Sequence, residues 1–174
     1  MKQLQLIRYR RGQIDGYPSR LHYFSDWIHD NAKKEILRDV TKEIGGVPYQ
    51  KKINFMSIHR EAYRQLEDNA IVEVIRRQET ELNSRPRYYV PKEEIESCLR
   101  NIGPGDIIGI TTSIEGLDIS HTGLAIHMNG VVKYLHAPVA SGAVQISQGS
   151  LAEYLLLHKK QTGIMVARPL EPQG

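Results

Sequence analysis

The dipeptide Asn129-Gly130 lies between two runs, His121-Thr122-Gly123-Leu124-Ala125-Ile126-His127-Met128 and Val131-Val132-Lys133-Tyr134-Leu135-His136, and constrains the fold more than any other feature. A two-residue hairpin turn needs positive φ at its central positions, which Asn and Gly tolerate, so the two runs are predicted to be antiparallel neighbours. With Met128 roughly opposite Val131, the register of the pair follows, because a slip of one residue would turn every side chain to the other face. Counting outward puts His121 opposite a position near residue 138, within a register step or two of His136. Two imidazoles are thereby expected in one neighbourhood.

The residues around this hairpin also read as sheet. Gly103-Pro104-Gly105-Asp106 forms a turn, and Ile107 to Thr111 is a buried strand rich in β-branched residues. Ala143 to Ile146 suits another strand, Ser150 caps a helix to about His158, and Gly163 to Arg168 is a last strand. Upstream the texture is helical. Leu4 to Tyr17 reads as a connector, and Leu21 to Lys34 as a helix with Leu21, Phe24 and Ile28 at helical spacing. A short strand is expected over Ile36 to Thr41. Ser57 to Asp68 has Ile58, Ala62 and Leu66 four residues apart and reads as an amphipathic helix capped by Ser57, and Ile71 to Leu82 continues the helical pattern. Pro91 opens a further short helix ending near Asn101. The expectation is one α+β domain over 1–174, helical to about 102 and antiparallel sheet from about 103.

Composition excludes several classes. With 40% hydrophobic and 25% charged residues, the 174-residue chain has the balance of a folded globular protein. Its net charge of +3 comes from scattered Lys and Arg, without the dense basic block of a nucleic-acid footprint, so no nucleic-acid partner is expected. No apolar run is long enough to span a bilayer, and MKQLQLIRYRRG lacks the apolar centre of a secretory signal. The single cysteine, Cys98, rules out an internal disulfide framework and a multi-cysteine metal site.

Spacing alone leaves the histidines open. They suit a base oriented by a second group, and equally two ordinary strand residues with satisfied hydrogen bonds. With Asp118 or Asp106 they could bind zinc, but the spacing matches no common zinc motif, and no metal or cofactor is assigned. In the cluster Arg20-Leu21-His22-Tyr23-Phe24-Ser25-Asp26-Trp27-Ile28, Arg20 can hold a carboxylate through a forked pair of hydrogen bonds, while Tyr23 and Trp27 can line a groove for sugar or peptide. The same cluster also serves as a core stripe with its cover. Arg20, Tyr23, Trp27 and Ser120 are taken as candidate substrate contacts. Tyr88-Tyr89, His59 and His127 are read as structural.

Pro104-Gly105-Asp106-Ile107-Ile108, Ser120-His121-Thr122-Gly123-Leu124-Ala125-Ile126, Leu135-His136-Ala137 and Leu151-Ala152-Glu153-Tyr154, in that order, resemble the pattern of NlpC-type papain-like cell-wall cysteine hydrolases. Residues 7–16, Ser19 to Trp27 and Ile53-Asn54-Phe55-Met56-Ser57 resemble the N-acetylmuramoyl-L-alanine amidase-like branch, so the likeness covers most of the chain. The resemblance implies a peptidoglycan amide hydrolase of the cell envelope or periplasm, with His121 as general base, His136 as its orienting partner and Asp106 as a structural residue. It also implies a nucleophilic cysteine at the amino end of a helix before the sheet. No residue matches that cysteine. Cys98 falls late in a helix beside acidic residues, where a thiolate is disfavoured, and reads as a buried small hydrophobe. The chain is therefore expected to be an amino-terminally truncated, inactive amidase that exposes a self-associating surface. A non-catalytic module binding peptidoglycan fragments is the alternative.

Overall fold

A computed structural model describes residues 2–139 and 141–171. The chain runs through α1 (Lys2–Arg8), α2 (Phe24–Lys33), β1 (Leu37–Asp39), β2 (Val47–Pro48), α3 (Phe55–Ile58), α4 (Asn69–Ser84), β3 (Tyr88–Pro91) and α5 (Ile95–Cys98). It continues through β4 (Ile107–Thr112), β5 (Ile119–Met128), β6 (Val131–His136), β7 (Gln145–Ile146), α6 (Leu151–Leu156) and β8 (Gln161–Pro169). Every strand pairing is antiparallel, in the order β2-β3-β8-β4-β5-β6-β7, with β1 pairing β8 beyond β3. The fold is α+β with an antiparallel sheet.

Strand β8 is the axis. Its run Ile164-Met165-Val166-Ala167 is buried throughout, and side chains alternate between two cores, as a strand covered on both faces requires. Ile164 and Val166 join Ile108, Ile110, Tyr134 and the helical residues Ile95, Leu151 and Leu155 on one face. Met165 and Ala167 join Phe24 and Ile28 of α2 and Val72, Ile75 and Leu82 of α4 on the other. Ser150 starts α6 with a reciprocal capping box: its hydroxyl accepts from Glu153 N at 3.1 Å, and Glu153 Oε2 accepts from Ser150 N at 2.7 Å.

Three readings from sequence are corrected. The front half contributes more sheet than the one short strand expected over Ile36 to Thr41: that strand is present as β1, paired with β8 at Arg38–Arg168, but β3 also pairs with β8, at Val90–Ile164, and β2 pairs with β3. The segment expected as a connector contains α1, a short helix with no buried residue. Residues 57–68 do not form one amphipathic helix. Four residues of α3 give way to two 3₁₀ turns over 60–62 and 64–67, and Ile58 is exposed while Leu66 is buried. Ser57 cannot cap a helix there, because its hydroxyl donates back to Asn54 O at 3.2 Å and its amide donates to Glu79 Oε1 at 3.1 Å. The working cap is Asp68, whose carboxylate accepts from Ala70 N at 2.8 Å at the start of α4.

Candidate functional site

The hairpin register holds along its whole length: Met128 pairs with Val131 and Gly123 with His136. His121 lies two residues before Gly123, on the same face, so His121 and His136 are diagonal neighbours across a position without a side chain. A Cβ at Gly123 would come within 2.4 Å of Leu135 O and 2.6 Å of Tyr134 Cε2, so only glycine leaves room for the rings to meet. They do meet, with His121 Nε2 and His136 Nδ1 2.9 Å apart. One proton occupies that bond. With it on His121 Nε2, donating to His136, Nδ1 of His121 is the nitrogen left to accept a proton.

Aromatic rings fix the pair. Tyr134, fully buried, stacks on His136 with centroids 4.8 Å apart and planes at 23°. Tyr154 of α6 meets His136 edge-on at 5.0 Å and His158 at 4.6 Å, and His158 Nδ1 donates to Tyr154 O at 2.8 Å. Burial lowers the His121 pKa, helped by charge on His158. Burial also lowers that of His136, followed by charge on His121 and His158. Both rings are thus kept neutral at neutral pH, the form in which an imidazole can take up a proton.

The ring cluster opens onto a cleft of about 830 Å³ whose walls include His136, Gln145, Gln148, Glu153, Tyr154 and His158. Tyr154, part of a segment that carries the resemblance, and His158, at the end of the predicted helix, were not among the expected site residues. Their signal was available: both fall on the helix predicted after Ser150, four residues apart and hence on one face.

The other candidates lie elsewhere. Gly109 packs against the Phe24 ring of α2 and pairs with Thr122, so Thr122 faces α2 while His121, paired with Ile110, faces the opposite core. Arg20, Tyr23 and Trp27 line a separate cleft of about 450 Å³ together with Phe24, Asp118 and Thr122, on the α2 face. The structure does not bring them to the histidine pair. Arg20 is exposed, Trp27 is partly buried and stacks on Phe24 at 5.5 Å, and Tyr23 is buried. The Tyr23 hydroxyl donates to Glu79 Oε1 at 2.7 Å and accepts from Met56 N at 2.8 Å, which makes it a structural joint. Ser120 is exposed where the β4–β5 register shifts, beside His121.

Asp106 and Asp118, weighed as partners of the histidines in a zinc site, are committed elsewhere. Asp106 accepts from Arg168 at 2.8 and 2.7 Å and from Gly103 N at 2.7 Å. Asp118 receives the amide and hydroxyl of Ser25 at 2.8 and 2.9 Å, in the first turn of α2, where the helix dipole favours a carboxylate. Among the described residues no cluster of three or more His, Cys, Asp or Glu is arranged to hold a metal ion. Cys98 is buried in the core, its thiol donating to Ile95 O, and burial pushes its pKa up to about 11.

A family model described as AmiA-like, N-acetylmuramoyl-L-alanine amidase-like, matches residues 1–164. The chain belongs to this family. An N-acetylmuramoyl-L-alanine amidase from Bacteroides uniformis is 37% identical and superposes with a TM-score of 0.92, covering 98% of this chain and 73% of that one. A Bacteroides fragilis protein described as a xylanase is 40% identical, with a TM-score of 0.90 over 96% of this chain and 74% of that one. A Legionella pneumophila protein carrying the family label DUF1460 is 22% identical, with a TM-score of 0.70 over 97% of this chain and 68% of that one, and shares the fold. No curated protein matches. Among the described residues of this AmiA-like chain, no helix is long and apolar enough to cross a membrane.

Proposed function

We propose that this chain carries the base half of a papain-like, NlpC-type peptidoglycan amide hydrolase of the cell envelope, acting on the muramoyl-L-alanine bond or on the stem peptide. The observation that carries the reading is the His121–His136 bond of 2.9 Å between imidazoles held neutral. The thiol gives its proton to His121 Nδ1, and the resulting thiolate attacks the amide carbonyl to give a tetrahedral oxyanion. Its collapse breaks the C–N bond, and the leaving amine takes the proton held on His121 Nδ1. The thioester left behind is cleaved by water, which gives its proton back to Nδ1. His136 holds the ring through Nε2 and disperses the charge of the imidazolium. His121 is thus the catalytic base and His136 the positioning residue.

The thiolate would come from outside these 174 residues. Supporting this, Cys98 is buried with a raised pKa and does not line the cleft at His136, and the matched region covers 73% of the Bacteroides uniformis amidase. The chain alone is then inactive, and its exposed Val144, Ile146, Leu156 and Leu157 offer a surface for self-association, which a monodisperse monomer in light scattering would refute.

The same lack of a thiol at the histidine pair favours a second reading, a non-catalytic module that binds peptidoglycan fragments. Arg20 and Trp27 would then serve as ligand contacts on the α2 face. Mass spectrometry of a defined muramoyl-peptide treated with this chain, and with a form extended upstream to any encoded cysteine, separates the two. Cleavage by the extended form alone, lost on His121→Ala, supports the amidase. Binding by both forms without cleavage supports the module.

A further inference from the structure

Strand β8 has a break in its row of partners. β1 pairs with it as far as Asp39–Ala167 and β3 from Val90–Ile164, so Met165 falls between the two. At this break lies a pocket of about 120 Å³, its walls including buried Ile28, Leu82 and Met165, half-buried Arg85 and Arg87, and exposed Asp39. It has room for roughly four waters, so it suits a small organic ion and excludes a sugar ring or a peptide. Arg85 is already matched, by Asp26 at 2.8 Å and by Glu81. Arg87 is not matched in this way. Its Nη2 donates to Lys51 O at 2.9 Å and to Asn83 Oδ1 at 3.1 Å, and its guanidinium lies over the Tyr49 ring at 5.8 Å. Its Nε and Nη1, however, are buried with no hydrogen-bond partner among the described residues. Burial lowers its pKa, yet an arginine stays charged in a protein, so two buried donors of a cation lack acceptors. Asp39 carries the opposite charge. One of its carboxylate oxygens accepts from Thr41 N at 3.0 Å, and the neighbouring Arg38 pairs with Glu43 instead.

We infer that this pocket binds a small amino acid, its carboxylate at Arg87, its ammonium at Asp39 and its side chain against Ile28, Leu82 and Met165. A lone anion of that size gains Arg87 but meets the charge of Asp39, and a lone amine gains Asp39 but meets the charge of Arg87. A zwitterion satisfies both ends at once, and the apolar walls take a short aliphatic side chain. His29 also lines the pocket, and because burial lowers its pKa it adds no charge at neutral pH. The site stands apart from the histidine pair: Ile28 and Met165 belong to the core on the α2 side, whereas His121 faces the other core. A ligand here therefore does not depend on the amidase reading.

The test titrates the 174-residue chain with L-alanine, acetate and ethylamine at one ionic strength, to about 100 mM and so well past a millimolar Kd, while NMR maps the amide shifts. L-Alanine is expected to shift amides of residues 28–32 and 85–88 and to bind about tenfold more tightly than acetate or ethylamine, each of which lacks one of its charges. Arg87 also ties Lys51 to Asn83, so the variant used is Asp39→Asn, on an exposed residue whose amide oxygen still accepts from Thr41 N. An amide spectrum unchanged away from residue 39 verifies its fold. That variant should bind L-alanine about tenfold more weakly and acetate no more weakly than the parent. Acetate or ethylamine binding as tightly as L-alanine would make this a plain ion site and overturn the inference. So would an Asp39→Asn variant that binds L-alanine like the parent, or an absence of shifts at 28–32 and 85–88, which would leave the pocket to water alone.

Discussion

Replacing Gly123 with alanine puts a methyl group 2.4 Å from Leu135 O and 2.6 and 2.8 Å from Tyr134 Cε2 and Cζ. The first obstacle is backbone of the paired strand and the second is a ring with no exposed surface, so neither can swing aside into solvent. Overpacking of this kind costs about 1–3 kcal/mol, and contact with backbone points to the upper end. The alanine also reduces the freedom of the unfolded chain, which offsets about 0.4–1 kcal/mol. The net expectation is a loss of about 2 kcal/mol, or roughly 4–8 °C in Tm for a chain of this size. Tyr134 can yield only by tilting off His136, on which it stacks at 4.8 Å, so the histidine bond should loosen and both imidazoles titrate closer to 6.5. Urea denaturation measures the first effect and NMR titration of the imidazoles the second. A stability change below about 0.5 kcal/mol, or a destabilised protein whose histidines titrate as in the parent, refutes the link between this glycine and the pair.

Burial lowers the pKa of His22 to about 4, and those of His121 and His136 also lie below 6.5, so the unfolded chain binds more protons as pH falls from 7 to 4. Stability should therefore drop over that window, by up to about 2 kcal/mol at pH 5 from His22 alone, while the raised pKa of Asp118 opposes part of the loss; urea midpoints equal at pH 7 and 5 would contradict this. Glu79→Ala strands the Tyr23 hydroxyl and the Ser57 amide in a buried joint and should cost about 3 kcal/mol, with Glu79→Gln costing clearly less; equal losses would mean that the carboxylate oxygen is not the working acceptor. The Tyr134 hydroxyl is buried with no hydrogen-bond partner among the described residues, so Tyr134→Phe should be neutral or stabilise by up to about 1 kcal/mol, and a clear loss in thermal unfolding would reveal a hidden partner.

The hairpin was legible because Asn129-Gly130 admits one turn geometry and the alternation beyond it admits one register, which together carry His121 to His136. Strand β8 was legible for a similar reason, its apolar run being too short for a helix and flanked by Gly163 and Pro169. Strand β3 was missed because Tyr88-Tyr89-Val90-Pro91 has no alternation of its own and gains its order from pairing with β8. Residues 57–68 misled because an apolar residue at every fourth position reads as a stripe, while long-range bonds to Glu79 decide the backbone there. Arg20 and the histidines fell into one expected site because a linear pattern does not say which face of a sheet a flanking segment covers. The Phe24 contact at Gly109 does say so.

Strand β8 takes its partners from widely separated parts of the chain, β1 and β3 from residues 37–91 and β4 from 107–112. During synthesis, the residues that bridge the two cores are made after every strand and helix they pack against. Until about residue 169 is free to move, α2 and α4 have no Met165 or Ala167 to pack on, and Ile108 and Ile110 lack their neighbouring strand. Folding should then be a late, concerted event dominated by distant contacts, slow by the standards of helical proteins and exposed to aggregation while it waits.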